Sequence, residues 1–209
     1  MDQGGFAMSN RRRPAVAVAV VAAVVSLGAL AACGDDSHSA GATTQTTTAA
    51  MAQLGVNGAD LTFAQMMIPH HEQAIEMSEL ALDPNAGAGP AVTALARTVK
   101  QAQDPEIATM TRWLTTWGAP TAPPADDHDM SAMPGMMSAS QMTALGAARG
   151  TAFDRMWLEM MIRHHEGAIA MADEVLASGT NAEVKALATQ VVAGQRAEID
   201  EMRRLLAAG

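Results

Sequence analysis

Residues 66–77 read MMIPHHEQAIEM, and residues 160–171 read MMIRHHEGAIAM. The second stretch begins 94 residues after the first, and the two hold four of the six histidines in the 209-residue chain. At about 100° per residue, Phe63, Met66, Met67, His70, His71, Ala74, Ile75 and Met77 share one broad helical face. Gln65, Glu72, Glu76 and Glu79 take the other. Both histidines therefore fall inside the apolar arc that should face a core. The second stretch repeats that placement with His164 and His165.

The match extends well beyond the histidines. At the same spacing Asp60, Ala74 and Ile75 meet Asp154, Ala168 and Ile169. At a spacing of 92, Leu95, Ala96, Val99, Gln103, Glu106, Ile107, Met110 and Leu114 meet Leu187, Ala188, Val191, Gln195, Glu198, Ile199, Met202 and Leu206. The two-residue change falls between helices, so each repeat is a helical hairpin. Two hairpins predict an all-α, antiparallel four-helix bundle. The pattern places helices over about 60–82, 90–113, 153–177 and 181–207. A short connecting helix over about 138–148 opens on a capping box, Ser138 with Gln141. The bundle thus occupies 56–208, with repeat one at 56–115, a Met- and Pro-rich connector at 116–137 and repeat two at 138–208.

Gln103 and Glu106 interrupt the core stripe of the second helix near its midpoint, and Gln195 and Glu198 do so in the fourth. Midpoints meet in an antiparallel hairpin. The four histidines, two glutamates and two glutamines should therefore form a polar layer across the waist of the bundle. Such groups are costly to bury unpaired, so the layer must be satisfied internally or by a ligand.

The first 32 residues are read as an address rather than part of the fold. Arg11, Arg12 and Arg13 precede an apolar run that ends in LAAC at residues 30–33, which resembles the lipobox of bacterial lipoproteins. Cys33 would carry the lipid. Residues 33–55 form a flexible stalk of Thr, Ala, Gly and Ser, in which His38 is incidental. An uncleaved membrane anchor is the alternative, because the apolar run is nearly long enough to span. Either way the body is expected outside the cytoplasm and tethered to a membrane; the lipobox reading makes it lipid-anchored at the outer face of the plasma membrane. The formal net charge of −9 argues against a nucleic-acid partner. Cys33 is the single cysteine, so neither a disulfide nor a thiolate site is available to the mature body.

Several chemistries fail on spacing. The HExxH pattern of zinc proteases needs a histidine where Ile75 and Ile169 stand. The Glu-x-x-His motif of di-iron bundles is missing, because Met67 and Ile68 precede His70 and His71 by three residues. What remains is imidazole with thioether, a donor mixture suited to copper and, through the imidazoles, to zinc. The connector adds His128, Met130, Met133, Met136 and Met137 within ten residues, HDMSAMPGMM. Methionines in a polar, Pro-rich loop have no evident core to fill. They suggest soft-metal capture, or else a hydrophobic flap docked on the bundle.

The two MM-I-x-HHE runs, the MPGMM lead-in and the QRAEIDEMRRLL ending resemble the bacterial family called domain of unknown function 305. The resemblance covers about residues 56–207 and implies a ferritin-like four-helix bundle, usually exported. It also implies copper binding, since some members are periplasmic copper-binding proteins. Here that role falls to His70, His71, His164 and His165, with Met66, Met77, Met160 and Met171 as candidate sulfur ligands. Gln103, Glu106, Gln195 and Glu198 would support them from behind. The resulting reading is a tethered lipoprotein that sequesters copper, Cu(I) in preference to Cu(II) or zinc, or hands it to an acceptor protein. A redox metalloenzyme on the same layer is one rival, favoured by turnover of a reductant or phenol. A structural or partner-binding bundle is another, favoured if His→Leu changes are tolerated and metal leaves stability unchanged.

Pro69 and Pro105 stand where repeat two has Arg163 and Ala197. Each removes a helical hydrogen bond beside the layer. The two half-sites are thus expected to differ, with the first more open.

Overall fold

The computed structural model describes residues 53–121 and 133–208. Cys33, His38, His128 and Met130, with the leader and most of the stalk, lie outside them. Four long helices make the bundle: α1 (Gly58–Leu82), α2 (Pro90–Thr116), α4 (Gly150–Ser178) and α5 (Ala182–Ala208). A short helix, α3 (Ala139–Ala147), lies between the hairpins, and a single 3-10 turn (Pro84–Ala86) links α1 to α2. No helix among the described residues is long and apolar enough to cross a membrane.

The helix ends follow their sequence signals. Asn57 and Asp60 form a capping box that opens α1, and Ser138 with Gln141 forms the one predicted for α3. Pro90 occupies the first turn of α2, where its missing N–H costs nothing. Asn181 Oδ1 accepts from the backbone N–H of Glu183 and Val184 to open α5.

Two apolar clusters fill the interior. The lower one joins the first half of α1 (Phe63, Met67), the last turns of α2 (Met110, Leu114), the second half of α4 (Ala172) and the start of α5 (Val184). The upper one joins the opposite halves, including Met77, Val92, Trp157 and Met202. Along the chain the four helices therefore run up, down, down, up, and neighbours around the ring are antiparallel. Linking two such hairpins requires one long crossover, as in ferritin-like bundles. It leaves the lower cluster at Trp117 and reaches the upper one at Met137 and Leu145.

Some expectations change. Pro69 and Pro105 lie within continuous helices. His70 and His71 beside them are fully buried, so the first half-site is not the more open one. Gln65, assigned to the outer face, is buried because its side-chain amide donates to the Pro120 carbonyl at 2.9 Å.

The repeats differ at the bundle ends. At the lower end Trp113 stacks on Trp117, centroids 6.0 Å apart, and its Nε1–H donates to Glu183 at 3.2 Å. Leu205 occupies the corresponding position at the upper end. There it lines a cleft of about 490 Å³ with Leu206, Leu158, Val92 and Ala91. A Leu205→Trp change should fill part of that cleft and add about 1 kcal/mol of stability. Calorimetry should show the unfolding midpoint rising by about 2–4 °C. A lower midpoint would show that the upper end has no room for an indole.

Candidate metal centre

The waist between the two clusters is the predicted polar layer. His70, His71, His164 and His165 are all fully buried, and Gln103 and Gln195 nearly so. His71 Nε2 lies 2.7 Å from Glu106 Oε2, and His165 Nε2 lies 2.7 Å from Glu198 Oε2. Each hairpin therefore supplies one His–Glu pair joining its own two helices, with the carboxylate partly open to solvent. The other two histidines meet across the hairpins. The rings of His70 and His164 are 3.8 Å apart at their centroids and tilted by 39°.

Their hydrogen bonds determine which nitrogens are free. A carboxylate or carbonyl can only accept, so Nε2–H donates in His71, in His165 and in His70. For His70 the acceptor is the Pro134 carbonyl, 3.0 Å away. Nδ1 of all three is buried without a partner, and His164 has no partner at either nitrogen. Both amide atoms of Gln103, and Oε1 of Gln195, are unpartnered as well. Native interiors rarely leave so many polar atoms unmet in one layer. An imidazole that donates from one nitrogen to a carboxylate is oriented to ligate a metal through the other. The donor set fits a metal that accepts nitrogen ligands. Among the described residues, however, no three His, Cys, Asp or Glu side chains converge as a ready-made cage.

Burial holds His70 at about 3, with the neighbouring His71 and His165 pushing the same way and the Pro134 carbonyl opposing. Burial also lowers His164 well below the ordinary imidazole value, assisted by His70, His165 and His71. Both central rings are therefore neutral near pH 7 and lose no proton on binding a metal. The effect on stability follows from sign. These groups protonate in the unfolded chain at about 6.5 but not in the folded one, so metal-free stability is complete above that pH. As pH falls below about 6.5, stability is lost with a limiting slope of about 1.4 kcal/mol per pH unit for each such histidine. Urea midpoints of the metal-free protein should fall steeply from pH 7 to 5, and less steeply in His164→Leu. Identical slopes in the two proteins would contradict this account.

The methionines divide by position. Met77 and Met160 are buried in the upper cluster, Met171 packs against the lower one, and Met66 is half-buried. Met67 and Met161 are fully buried, and each stands one helical turn from both histidines of its own helix. They are the thioethers nearest the layer along the chain, and they are identical in the two repeats. Of the connector, Met133 and Met137 are buried and Met136 is half-buried. Met137 belongs to the upper cluster, so it does have core to fill, contrary to the sequence reading.

Residues 133–137 form a strap docked on the bundle, the alternative offered for the connector, but its bonds were not foreseen. Gln73 Nε2 donates to the Met137 carbonyl at 2.9 Å, and the Met137 N–H donates back to Gln73 Oε1 at 2.7 Å. On α4 the strap presses so closely that a Cβ at Gly167 would stand 1.9 Å from the Pro134 carbonyl oxygen. The one available signal was the Gln73/Gly167 difference within otherwise matching runs.

Residues 60–206 match the family model of DUF305, domain of unknown function. The chain belongs to the DUF305 family. Among solved structures it is similar to a DUF305 fragment from Deinococcus radiodurans, at 30% identity and TM-score 0.67, covering 74% of this chain and 99% of that one. A secreted DUF305 protein from Streptomyces coelicolor is 34% identical, with TM-score 0.66, over 72% of this chain and 93% of that one. CopM in its Cu(I)-bound form is 30% identical, with TM-score 0.60, over 71% and 96%. CopM is also known in Cu(II)-bound, silver-bound and apo forms. No curated protein matches this sequence.

Proposed function

We propose that this DUF305 protein binds copper, Cu(I) above all, in the histidine layer, and sequesters it or passes it to an acceptor protein. The observation that carries the reading is the set of buried, unpartnered imidazole nitrogens on His70, His71, His164 and His165. Copper binding by the related CopM supports it. Glu106 and Glu198 orient two of the rings, and Gln103 and Gln195 complete the wall. Met67 and Met161 join Met66, Met77, Met160 and Met171 as sulfur candidates, with the connector's His128, Met130, Met133, Met136 and Met137 as capture ligands. The interior donors are uncharged, and the carboxylates only back the imidazoles. Burying a monocation among neutral nitrogen and sulfur ligands costs less than burying a dication there, which favours Cu(I) over zinc.

The site of action in this reading is extracytoplasmic, with Cys33 lipidated and the bundle held at the outer face of the membrane. The lipobox-like LAAC supports the anchor, and the secreted Streptomyces relative supports the compartment. Competition for Cu(I) against a chromogenic chelator tests the copper assignment in the parent and in a variant with all four layer histidines changed to alanine. Tight binding in the parent and at least about a hundredfold loss in the variant is expected, since metal affinity rests on all four nitrogens. Equal binding by both would move copper to the connector, and binding by neither would leave the layer as architecture.

A further inference from the structure

We infer that the strap at 133–137 is the door through which an ion reaches the histidine layer, and that Gln73 is its latch; this deepens the copper reading and rests on it for the identity of the ion. All four layer histidines are fully buried, so an ion cannot reach them without some part of the protein moving. Among the described residues the cover around the waist is otherwise helical. Parting two packed helices disrupts both apolar clusters, whereas lifting the strap exposes one buried methionine of a cluster and breaks a few discrete contacts.

Those contacts are specific. Gln73 holds the Met137 backbone at both its N–H and its carbonyl. The Pro134 carbonyl accepts from His70, and an Arg163 guanidinium N–H points at the Met137 sulfur, 3.7 Å away. The strap is thus bonded directly to one of the proposed ligands. Gly135, in the left-handed region at φ 79°, would carry a Cβ only 2.5 Å from the Arg163 carbonyl oxygen. Only glycine permits that approach. Gly167 provides the opposing space on α4. The door also carries soft donors, since Met133 is buried beside Pro134, whose carbonyl meets His70. An ion arriving at the strap meets thioether before imidazole, and softer donors precede the final nitrogen set.

The latch accounts for the break in the repeat. Position 73 in α1 and position 167 in α4 correspond, yet one carries an amide that reaches over to the strap and the other nothing at all. Symmetry is sacrificed on both sides of the same segment. Gln73 is a positioning residue, acting on access rather than on the ion.

The test uses the full-length chain and two variants. Gln73→Ala removes both latch hydrogen bonds. Gly167→Ala places a methyl group where the Pro134 carbonyl lies while improving helix propensity in α4, so it unseats the strap without weakening the helix. The first readout needs no metal: deuterium exchange at the imidazole C2 of His70 and His164, followed by mass spectrometry. Loss of two hydrogen bonds should raise the open fraction, and with it the exchange rate, about tenfold or more. The second readout is release of Cu(I) to excess chromogenic chelator, expected to accelerate by a similar factor while equilibrium affinity moves less than about threefold. Exchange no faster than the parent in either variant would overturn the door. Faster exchange with unchanged copper release would overturn its role in ion passage. Faster exchange in a protein whose parent takes up no copper would retain the door and sink the copper reading instead.

Discussion

Cu(I) supplied under reducing conditions at a free concentration about a thousandfold above its dissociation constant should stabilise the folded protein by about 4 kcal/mol. For a bundle of this size the unfolding midpoint should rise by about 8–16 °C. The affinity behind that gain has a structural origin. In the metal-free protein, His164 has two unpartnered nitrogens, and His70, His71 and His165 one each, all on fully buried rings. Each is a desolvated polar atom with no compensating bond, and a coordinated ion replaces that deficit with ligation. The histidine-to-alanine variant, lacking those atoms, should show almost no shift. Zinc at the same free concentration should give a smaller shift than Cu(I), because the layer offers a dication no carboxylate free of an imidazole. A larger shift with zinc would reassign the metal. No shift with either would mean that the His71–Glu106 and His165–Glu198 bonds serve bundle register alone.

Much of this layer is legible in the sequence because it obeys periodicity. Gln103 and Glu106 interrupt an apolar stripe at the middle of α2, and His70 and His71 do so in α1. Antiparallel pairing brings the two middles together, and the 2.7 Å contacts from His71 to Glu106 and from His165 to Glu198 follow from that rule. The spacing of the two repeats makes the second hairpin as readable as the first. What periodicity does not encode is contact through irregular chain. The bond from His70 to the Pro134 carbonyl uses a backbone atom every residue possesses, so no residue type announces it. Met137 likewise looked free of any core because its core is formed by other elements.

The repeat differences carry information of another kind. Pro69 facing Arg163 suggested a loosened first half-site, yet His70 and His71 are as buried as His164 and His165. The difference concerns the strap. Arg163 points at Met137 Sδ, Gln73 clasps the Met137 backbone, and Gly167 makes room for Pro134. Where a duplicated helix departs from its copy, the cause here is an element that lies against both copies and meets each through a different residue.

Asp60→Ala should cost about 2–4 kcal/mol in urea unfolding, whereas Asp154→Ala should cost about 1–2 kcal/mol. The two aspartates are identical in the repeats and sit alike at the start of α1 and α4, so sequence alone ranks them equal. Their surroundings differ. Asp60 is fully buried. Its carboxylate accepts from the Asn57 N–H at 2.9 Å, from the Thr180 N–H and hydroxyl at 3.1 Å each, and from the Asn181 N–H at 3.1 Å. Asp154 accepts from the Gly89 N–H. Each aspartate ties the start of its own hairpin to the turn of the other, and that docking places His70 against His164. Loss of Asp60 leaves several part-buried donors unmet at the lower end; loss of Asp154 leaves one. Asp60→Asn should fall between, because its amide keeps one acceptor but turns two further N–H groups toward donors. Equal losses for Asp60→Ala and Asp154→Ala would show that the hairpins are held by apolar packing and not by these clasps. Unequal losses, accompanied by weaker Cu(I) affinity in folded Asp60→Asn, would tie the clasp to the geometry of the His70–His164 contact.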